Sequence, residues 1–366
     1  MDAPVERVEV AAYTVPTDAP EGDGTFAWDS TTMVLVRVAG GGRLGIGWTY
    51  GPAAAQRVVE DMLAPVVRGV DALDVPRAHS AMVAAVRNAG RQGIAGLALS
   101  AVDSALWDLK ARLLDLPLCR LLGAVHTEVP VYGSGGFTTY DEERTRAQLA
   151  GWVHEQGIQR VKIKIGESWG TCADRDVARM RLARSVIGED AELFVDANGG
   201  YGRKQAIRVA RQAADLDVRW YEEPVSSDDL AGLREVRDAV LPDVTAGEYA
   251  WDLAYAERMC AADAVDCLQL DATRIGGPTE TLRAAAVAAA HNLDVSAHCA
   301  PTVHAHVMAA VPNLRHLEWF HDHVRVEEEL FDGTLDPTGG TVRPDQGRSG
   351  NGVELRVDIA ERYRVS

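Results

Sequence analysis

Val218-Arg219-Trp220-Tyr221-Glu222 is a short apolar run closed by a carboxylate. Leu193-Phe194-Val195-Asp196 precedes it and Val244-Thr245-Ala246-Gly247-Glu248 follows it, with the three acids spaced 26 residues apart. That spacing is about one strand-plus-helix unit of a parallel α/β barrel. Equal spacing therefore puts Asp196, Glu222 and Glu248 at the same end of three neighbouring strands. Three converging carboxylates repel one another unless a cation sits among them. Oxygen ligands without Cys or His select Mg²⁺, with Mn²⁺ as the other candidate. A single such acid reads as the start of a surface loop; three in register read as a metal site.

The same alternation extends in both directions. Candidate strands lie at 129–132, 160–165, 192–196, 218–222, 244–248, 267–271, 294–298 and 316–318, and helical stretches such as 175–187, 204–216 and 279–291 separate most of them. Eight strands in so uniform a repeat point to one closed α/β barrel rather than an open doubly wound sheet. In such barrels the chemistry collects at the C-terminal strand ends.

The first third has a different texture. Residues 32–38 and 44–50 read as strands joined through Gly40-Gly41-Gly42, a hairpin. Residues 40–45 also satisfy G-x-G-x-x-G, but a strand follows instead of a helix, so the dinucleotide reading fails its context. Helical patterns run from 53 to 122, clearest at 95–114, with Gly123 as a stop. The Pro/Gly/Asp segment 16–24 reads as a loop of the kind that serves as a lid. The tail shows hairpin-like alternation at Val353-Glu354-Leu355-Arg356-Val357 and is expected to rejoin the first domain. The expected division is 1–125, an N-terminal α+β domain; 126–330, the barrel; and 331–366, the returning segment.

Bulk properties narrow the function. A chain of 366 residues buries a large core, and a formal charge of −17 lacks the basic footprint of a nucleic-acid partner. Met1-Asp2-Ala3-Pro4-Val5-Glu6-Arg7 has no apolar core of a secretory signal. The longest apolar-rich stretch, 282–290, contains Arg283 and is too short to span a bilayer. Five scattered cysteines without a CxxC pair read as reduced thiols of a cytoplasmic protein.

Other strand ends add chemistry. Lys162 and Lys164 alternate on one strand face, about 7 Å apart, and two ammonium groups so close should lower one pKa toward neutrality, giving a general base. Asp271 ends the sixth strand and His298 the seventh, and if the two strands are neighbours the carboxylate can accept a hydrogen bond from the imidazole. A carboxylate bonded to one imidazole nitrogen fixes the tautomer and raises the basicity of the other. Glu318 ends the last strand, across the mouth from the lysines.

Lys162-x-Lys164, Asp196-x-Asn198, Glu222-Glu223-Pro224, Gly247-Glu248, Asp271 followed by Ile275-Gly276-Gly277, then His298 and Glu318, together resemble the mandelate racemase subgroup of the enolase superfamily. Ala101-Val102-Asp103-Ser104-Ala105-Leu106-Trp107-Asp108 is similar to that family's capping-domain signature. The resemblance implies a modified (β/α)7β TIM-like barrel under an α+β capping domain, with Mg²⁺ on Asp196, Glu222 and Glu248. It implies loss of the proton α to a substrate carboxylate, giving an enediolate stabilised by the metal and Lys162. Lys164 and the His298–Asp271 dyad would serve opposite faces of the α-carbon. Glu318 would bond the substrate carboxylate, as its protonated form, and Asn198 would orient groups around the metal. Specificity is expected from Asp23, Thr25, Trp28, Trp48 and Tyr50, and from Ser134 and Thr138.

Three reactions share that intermediate: dehydration of a sugar acid to a 2-keto-3-deoxy acid, which the resemblance favours, racemisation or epimerisation, and cycloisomerisation. The expected partner is a small carboxylate substrate, with no nucleic acid and no membrane, and the chain is expected to form a homo-oligomer. A non-catalytic acid-sugar sensor would not need both bases. A zinc hydrolase would want His ligands on the first barrel strand, and Val129-Pro130-Val131-Tyr132 supplies none.

Overall fold

Three antiparallel strands open the chain in a computed structural model that describes residues 3–365: β1 (Val5–Gly22), β2 (Ala27–Gly40) and β3 (Arg43–Tyr50). Met1, Asp2 and Ser366, which belong to the leader and domain readings above, lie outside the described residues. The β2–β3 turn is Gly41-Gly42, both at positive φ (56° and 73°), as a two-residue hairpin turn of this hand requires.

Residues 16–24 are not the loop that their composition suggests. β1 runs through Gly22, pairing Pro16 with Ser30 and Glu21 with Trp28. The irregularity falls between Pro16 and Glu21, a bulge that takes up Pro20, which has no N–H for the ladder. The tip is docked as well. Thr138 Oγ1 donates to Asp23 O at 2.6 Å, and a Cβ on Gly24 would stand 2.5 Å from Ile165 O.

Helix Ile94–Leu113 packs across this sheet, buried along most of its length. Its closest approach is at Gly45 and Gly47, where an added Cβ would meet Ala105 O and Ala105 N, each at 2.3 Å. The glycines of this hairpin thus admit a helix, not a nucleotide.

Eight parallel strands follow: β4 (Val129–Gly135), β5 (Arg160–Lys164), β6 (Glu192–Asp196), β7 (Val218–Glu222), β8 (Asp243–Ala246), β9 (Cys267–Leu270), β10 (Asp294–Ala297) and β11 (Leu314–Phe320). Each pairs with the next, and β11 closes on β4 through Leu317↔Val131 to Phe320↔Ser134. Helical crossovers join all eight, and helix His321–Leu330 follows the last. β8, β9 and β10 end earlier than expected, so Glu248, Asp271 and His298 stand just past their strands. Tyr132, Phe194, Trp220 and Cys267 fill the barrel interior, giving the mouth a dry floor.

The tail alternation at 353–357 yields only Glu354–Leu355, paired with Phe331–Asp332. Thr341–Val342 lies antiparallel to β4, and Arg364–Val365 adds to β1, so the chain end does rejoin the first sheet. No helix among the described residues is long and apolar enough to cross a membrane.

Gly47→Ala should destabilise the protein by about 1–3 kcal/mol, because backbone cannot yield as a flexible side chain can. Gly69→Ala, where a Cβ meets nothing within 4 Å but φ is 81°, should cost less. Urea unfolding midpoints compare the two, and equal midpoints would contradict the close-approach argument.

Candidate active site

Asp196 and Glu222 end β6 and β7, and Glu248 follows β8 by way of Gly247 at φ 134°. One oxygen from each of the three lies within 4.8 Å of the others, and all three residues are buried. Asp196 Oδ1 accepts from the Asn198 amide at 2.9 Å, and Glu222 Oε2 from Trp220 Nε1 at 2.9 Å. Glu248 Oε1 accepts from Arg274 at 3.0 Å, whereas Glu248 Oε2, Asn198 Oδ1 and Glu223 Oε1 are buried without a hydrogen-bond partner. Burial drives the Glu223 carboxyl well up, and Glu248, Asp196 and Glu222 add to the rise. Unpartnered oxygens beside clustered acids are what a hard divalent cation satisfies, so the residues fit Mg²⁺.

The lysines behave differently from expectation. Lys162 Nζ lies 2.5 Å from Glu222 and 2.7 Å from Glu318, and Lys164 Nζ lies 2.5 Å from Asp196. Burial favours the neutral amines, yet the carboxylates prevail and hold both ammonium groups above the ordinary value. Mutual repulsion of two lysines is outweighed by their acid partners. Glu318 is likewise held ionised. Burial opposes its charge, but Lys162 and His298 keep it well below the usual carboxylate range, the opposite direction from the protonated form that the resemblance implies with substrate bound. Ser134 Oγ and the Cys299 amide donate to its two oxygens at 2.6 and 3.1 Å.

Asp271 and His298 do meet. Asp271 Oδ2 is 2.8 Å from His298 Nδ1, while Asp271 Oδ1 accepts from the Thr273 amide and hydroxyl. His298 Nε2 stands 3.4 Å from Glu248 Oε2 and 3.1 Å from Cys299 Sγ. Burial favours neutral imidazole, but Glu248 and Asp271 raise the His298 pKa on balance, against Arg274. Lys164 thus borders the acid cluster at Asp196, and His298 borders it at Glu248.

Above the acids opens a cavity of ≈ 340 Å³ between the β1–β2 tip and the mouth. Asp23, Trp28 and Asn198 line it, together with Lys164, Glu248 and His298. Asp23 also caps its own turn, accepting from the Thr25 hydroxyl and the Phe26 amide. Trp48 lies elsewhere: it is fully buried against Phe331 with ring centroids 4.7 Å apart, because its place on β3 faces the core. Tyr50 and Ser134 are not at the cavity wall. Tyr50 stacks on His323 and donates to Glu327 at 3.1 Å, and Ser134 acts on Glu318.

Sequence reasoning did not find Arg274, Cys299, Asp322 or His323, which also line the cavity. Arg274 stands three residues after Asp271 and Cys299 follows His298, so strand-end position was a signal for both. Backbone strain marks the same rim: Asn198, Glu223, Cys299 and Ala300 have φ of 45°, 38°, 52° and 40°. Such conformations cost about 1–3 kcal/mol each and cluster where function needs a fixed geometry.

Residues 8–123 match the family model "Mandelate racemase / muconate lactonizing enzyme, N-terminal domain", and residues 144–359 match "Enolase C-terminal domain-like". The chain is 32% identical to L-talarate/galactarate dehydratase of Salmonella typhimurium, over 90% of this chain and 86% of that one. It is also 32% identical to 3,6-anhydro-alpha-L-galactonate cycloisomerase of Streptomyces coelicolor, over 99% of each. Among solved structures, a mandelate racemase/muconate lactonizing enzyme-like protein from Rubrobacter xylanophilus matches at TM-score 0.95 and 53% identity, covering 99% of both chains. A racemase from Streptomyces coelicolor with bound magnesium matches at TM-score 0.92 and 30% identity, covering 99% of this chain and 100% of that one.

Asp271→Asn should shift one pH limb. The Asp271 carboxylate favours imidazolium, so its loss lets His298 stay neutral to lower pH. The acid limb of hydrogen exchange at the His298 face moves down, and the plateau falls by roughly 10²-fold. Exchange at the Lys164 face keeps its profile. Profiles that move together would separate Asp271 from this role.

Proposed function

The chain belongs to the mandelate racemase/muconate lactonizing enzyme family, and we propose that it dehydrates a sugar acid to a 2-keto-3-deoxy acid. One observation carries this reading: two basic nitrogens, Lys164 Nζ and His298 Nε2, border the same buried acid cluster from opposite ends. Asp196, Glu222 and Glu248 would hold Mg²⁺, which when bound supplies positive charge against the substrate carboxylate and takes up the acid charge that keeps Lys164 protonated.

Lys164 Nζ would then take the α-proton on one face. His298, protonated and steadied by Asp271, would give its proton to the departing β-hydroxyl, which leaves as water. The enol that remains tautomerises to the 2-keto product. Lys162, fixed between Glu222 and Glu318, places a permanent positive charge where negative charge develops. The cycloisomerase relative, matched over the full length, supports a second reading. The proton loss is the same, but a ring oxygen leaves in place of a hydroxyl. A cytoplasmic setting, consistent with five unpaired cysteines, and a homo-oligomer complete the proposal.

The cavity wall favours a monoacid. Its cations, Lys164, Arg274 and protonated His298, all stand at the acid cluster. Among its other lining groups are Asp23 and Asp322, plus Ser30, Thr31 and Thr32. His323 is held neutral, chiefly by burial and secondly by His298. A second substrate carboxylate would face carboxylates, whereas hydroxyls would find acceptors.

Lys164→Ala should abolish solvent ²H exchange at the α-carbon of one substrate epimer and His298→Asn that of the other, both with Mg²⁺ affinity retained. A pure binder would exchange neither. In a panel of sugar acids scored for 2-keto product, monoacids should exceed the matching diacids by at least about tenfold in kcat/KM, about 1.4 kcal/mol. Preference for diacids would overturn the reading of the wall, and ring-opened isomers without 2-keto product would favour cycloisomerisation.

A further inference from the structure

A second cluster of ligand-type side chains lies outside the acid centre, where the β1–β2 tip meets the barrel. The bulge in β1 turns Asp18 toward His321, the first residue of the helix after β11. His321 Nε2 lies 3.2 Å from Asp18 Oδ2, 3.3 Å from Asp18 Oδ1 and 3.9 Å from Glu21 Oε1. One ligand atom from each of the three residues lies within 4.8 Å of the others.

Glu21 supplies an independent observation. The residue is 0% exposed; its Oε2 accepts from Trp28 Nε1 at 3.0 Å, but its Oε1 has no hydrogen-bond partner and faces His321. Neither nearby arginine bonds the free oxygen of Glu21. Arg325 pairs with Asp322 at 2.6 Å and donates to Pro16 O, and Arg144 pairs with Asp18 Oδ2 at 2.8 Å.

We propose that Asp18, Glu21 and His321 form a second metal site, for Zn²⁺ or a similar borderline transition ion, which pins the β1–β2 tip to the barrel mouth. Zn–N and Zn–O bonds of about 2.0–2.2 Å place tetrahedral ligand atoms roughly 3.3–3.6 Å apart, close to the separations from His321 Nε2 to Asp18. Glu21 Oε1, 3.9 Å from His321 Nε2, would have to move inward to join them. Asp18 Oδ1 can serve the ion while Oδ2 keeps Arg144. One imidazole with two carboxylates suits this ion class better than Mg²⁺, which takes oxygen ligands. His321 is partly exposed, so water can reach the remaining position. No ligand is shared with Asp196, Glu222 and Glu248. The site bears on the cavity through Trp28, which Glu21 holds, and through Phe320 and Asp322, the chain neighbours of His321.

Equilibrium dialysis of the full chain against micromolar Zn²⁺, under saturating Mg²⁺, tests the site. Wild type should take up one equivalent, and Co²⁺ in its place should give the visible absorption of a low-coordinate nitrogen–oxygen site. Glu21→Gln and His321→Gln should each lose the Zn²⁺, whereas Glu222→Gln, altered only at the acid centre, should keep it. Thermal melts without Zn²⁺ show whether each variant is folded, and Asp18→Asn gives a third variant should one fail. No uptake by wild type, uptake retained in the folded Glu21 and His321 variants, or uptake lost in Glu222→Gln would each overturn the proposal.

Discussion

Mutual repulsion among buried carboxylates at one barrel mouth governs this molecule. Asp196, Glu222, Glu223 and Glu248 are all nearly inaccessible to solvent, and taking such charges from water is costly unless each is paired. Two lysines, an arginine and an imidazole stand among them and offset only part of the charge. Glu248 Oε2 and Glu223 Oε1 remain without partners. The barrel tolerates this because every crossover helix and the aromatic floor hold the strand ends rigidly. A softer scaffold would relax the acids apart. Stability is surrendered at the mouth so that a divalent ion and a substrate carboxylate find their charges already in place.

The two domains depend on each other through buried acids of another kind. Asp103, on the helix across the first sheet, accepts from the Thr279 amide at 3.0 Å and hydroxyl at 2.8 Å, and Ser100 Oγ accepts from the Gly276 amide. Gly277, at φ 81°, admits the contact, since a Cβ there would stand 2.3 Å from Asp103 Oδ2. Asp108 binds the Ile46 and Asn351 amides and Arg112. Ser100 and Asp103 on one side and Gly276, Gly277 and Thr279 on the other, far apart in the chain, are thus two halves of one joint.

Much of this was legible in the chain because barrel geometry is periodic. Equal spacing of Asp196, Glu222 and Glu248 fixed their common rim, and strand-end position found Lys162, Lys164, Asp271, His298 and Glu318. What failed was local or electrostatic. Segment 16–24 has loop composition, yet cross-strand pairing with residues 27–30 overrides it. Trp48 and Tyr50 sit on a strand whose facing depends on which side the helix packs, and nothing in alternation alone decides that. The charge states of Lys164 and Glu318 depend on distances of 2.5–2.7 Å between strands, which no spacing rule provides.

Arg274 shows why such distances matter more than residue type. Its guanidinium reaches Glu248 Oε1 at 3.0 Å and Asp271 Oδ2 at 3.4 Å, joining a candidate metal ligand to the dyad's acid. It therefore favours the Asp271 carboxylate as an anion and opposes the charging of His298. Without it, Glu248 and Asp271 together would hold His298 more firmly as imidazolium, a good acid but a poor base. With it, the imidazole is drawn back toward the neutral form that the proposed proton abstraction would use. Arg274 can thus balance the two roles proposed for His298, and its position three residues past Asp271, before the helix that starts at Gly277, is what lets it reach both acids.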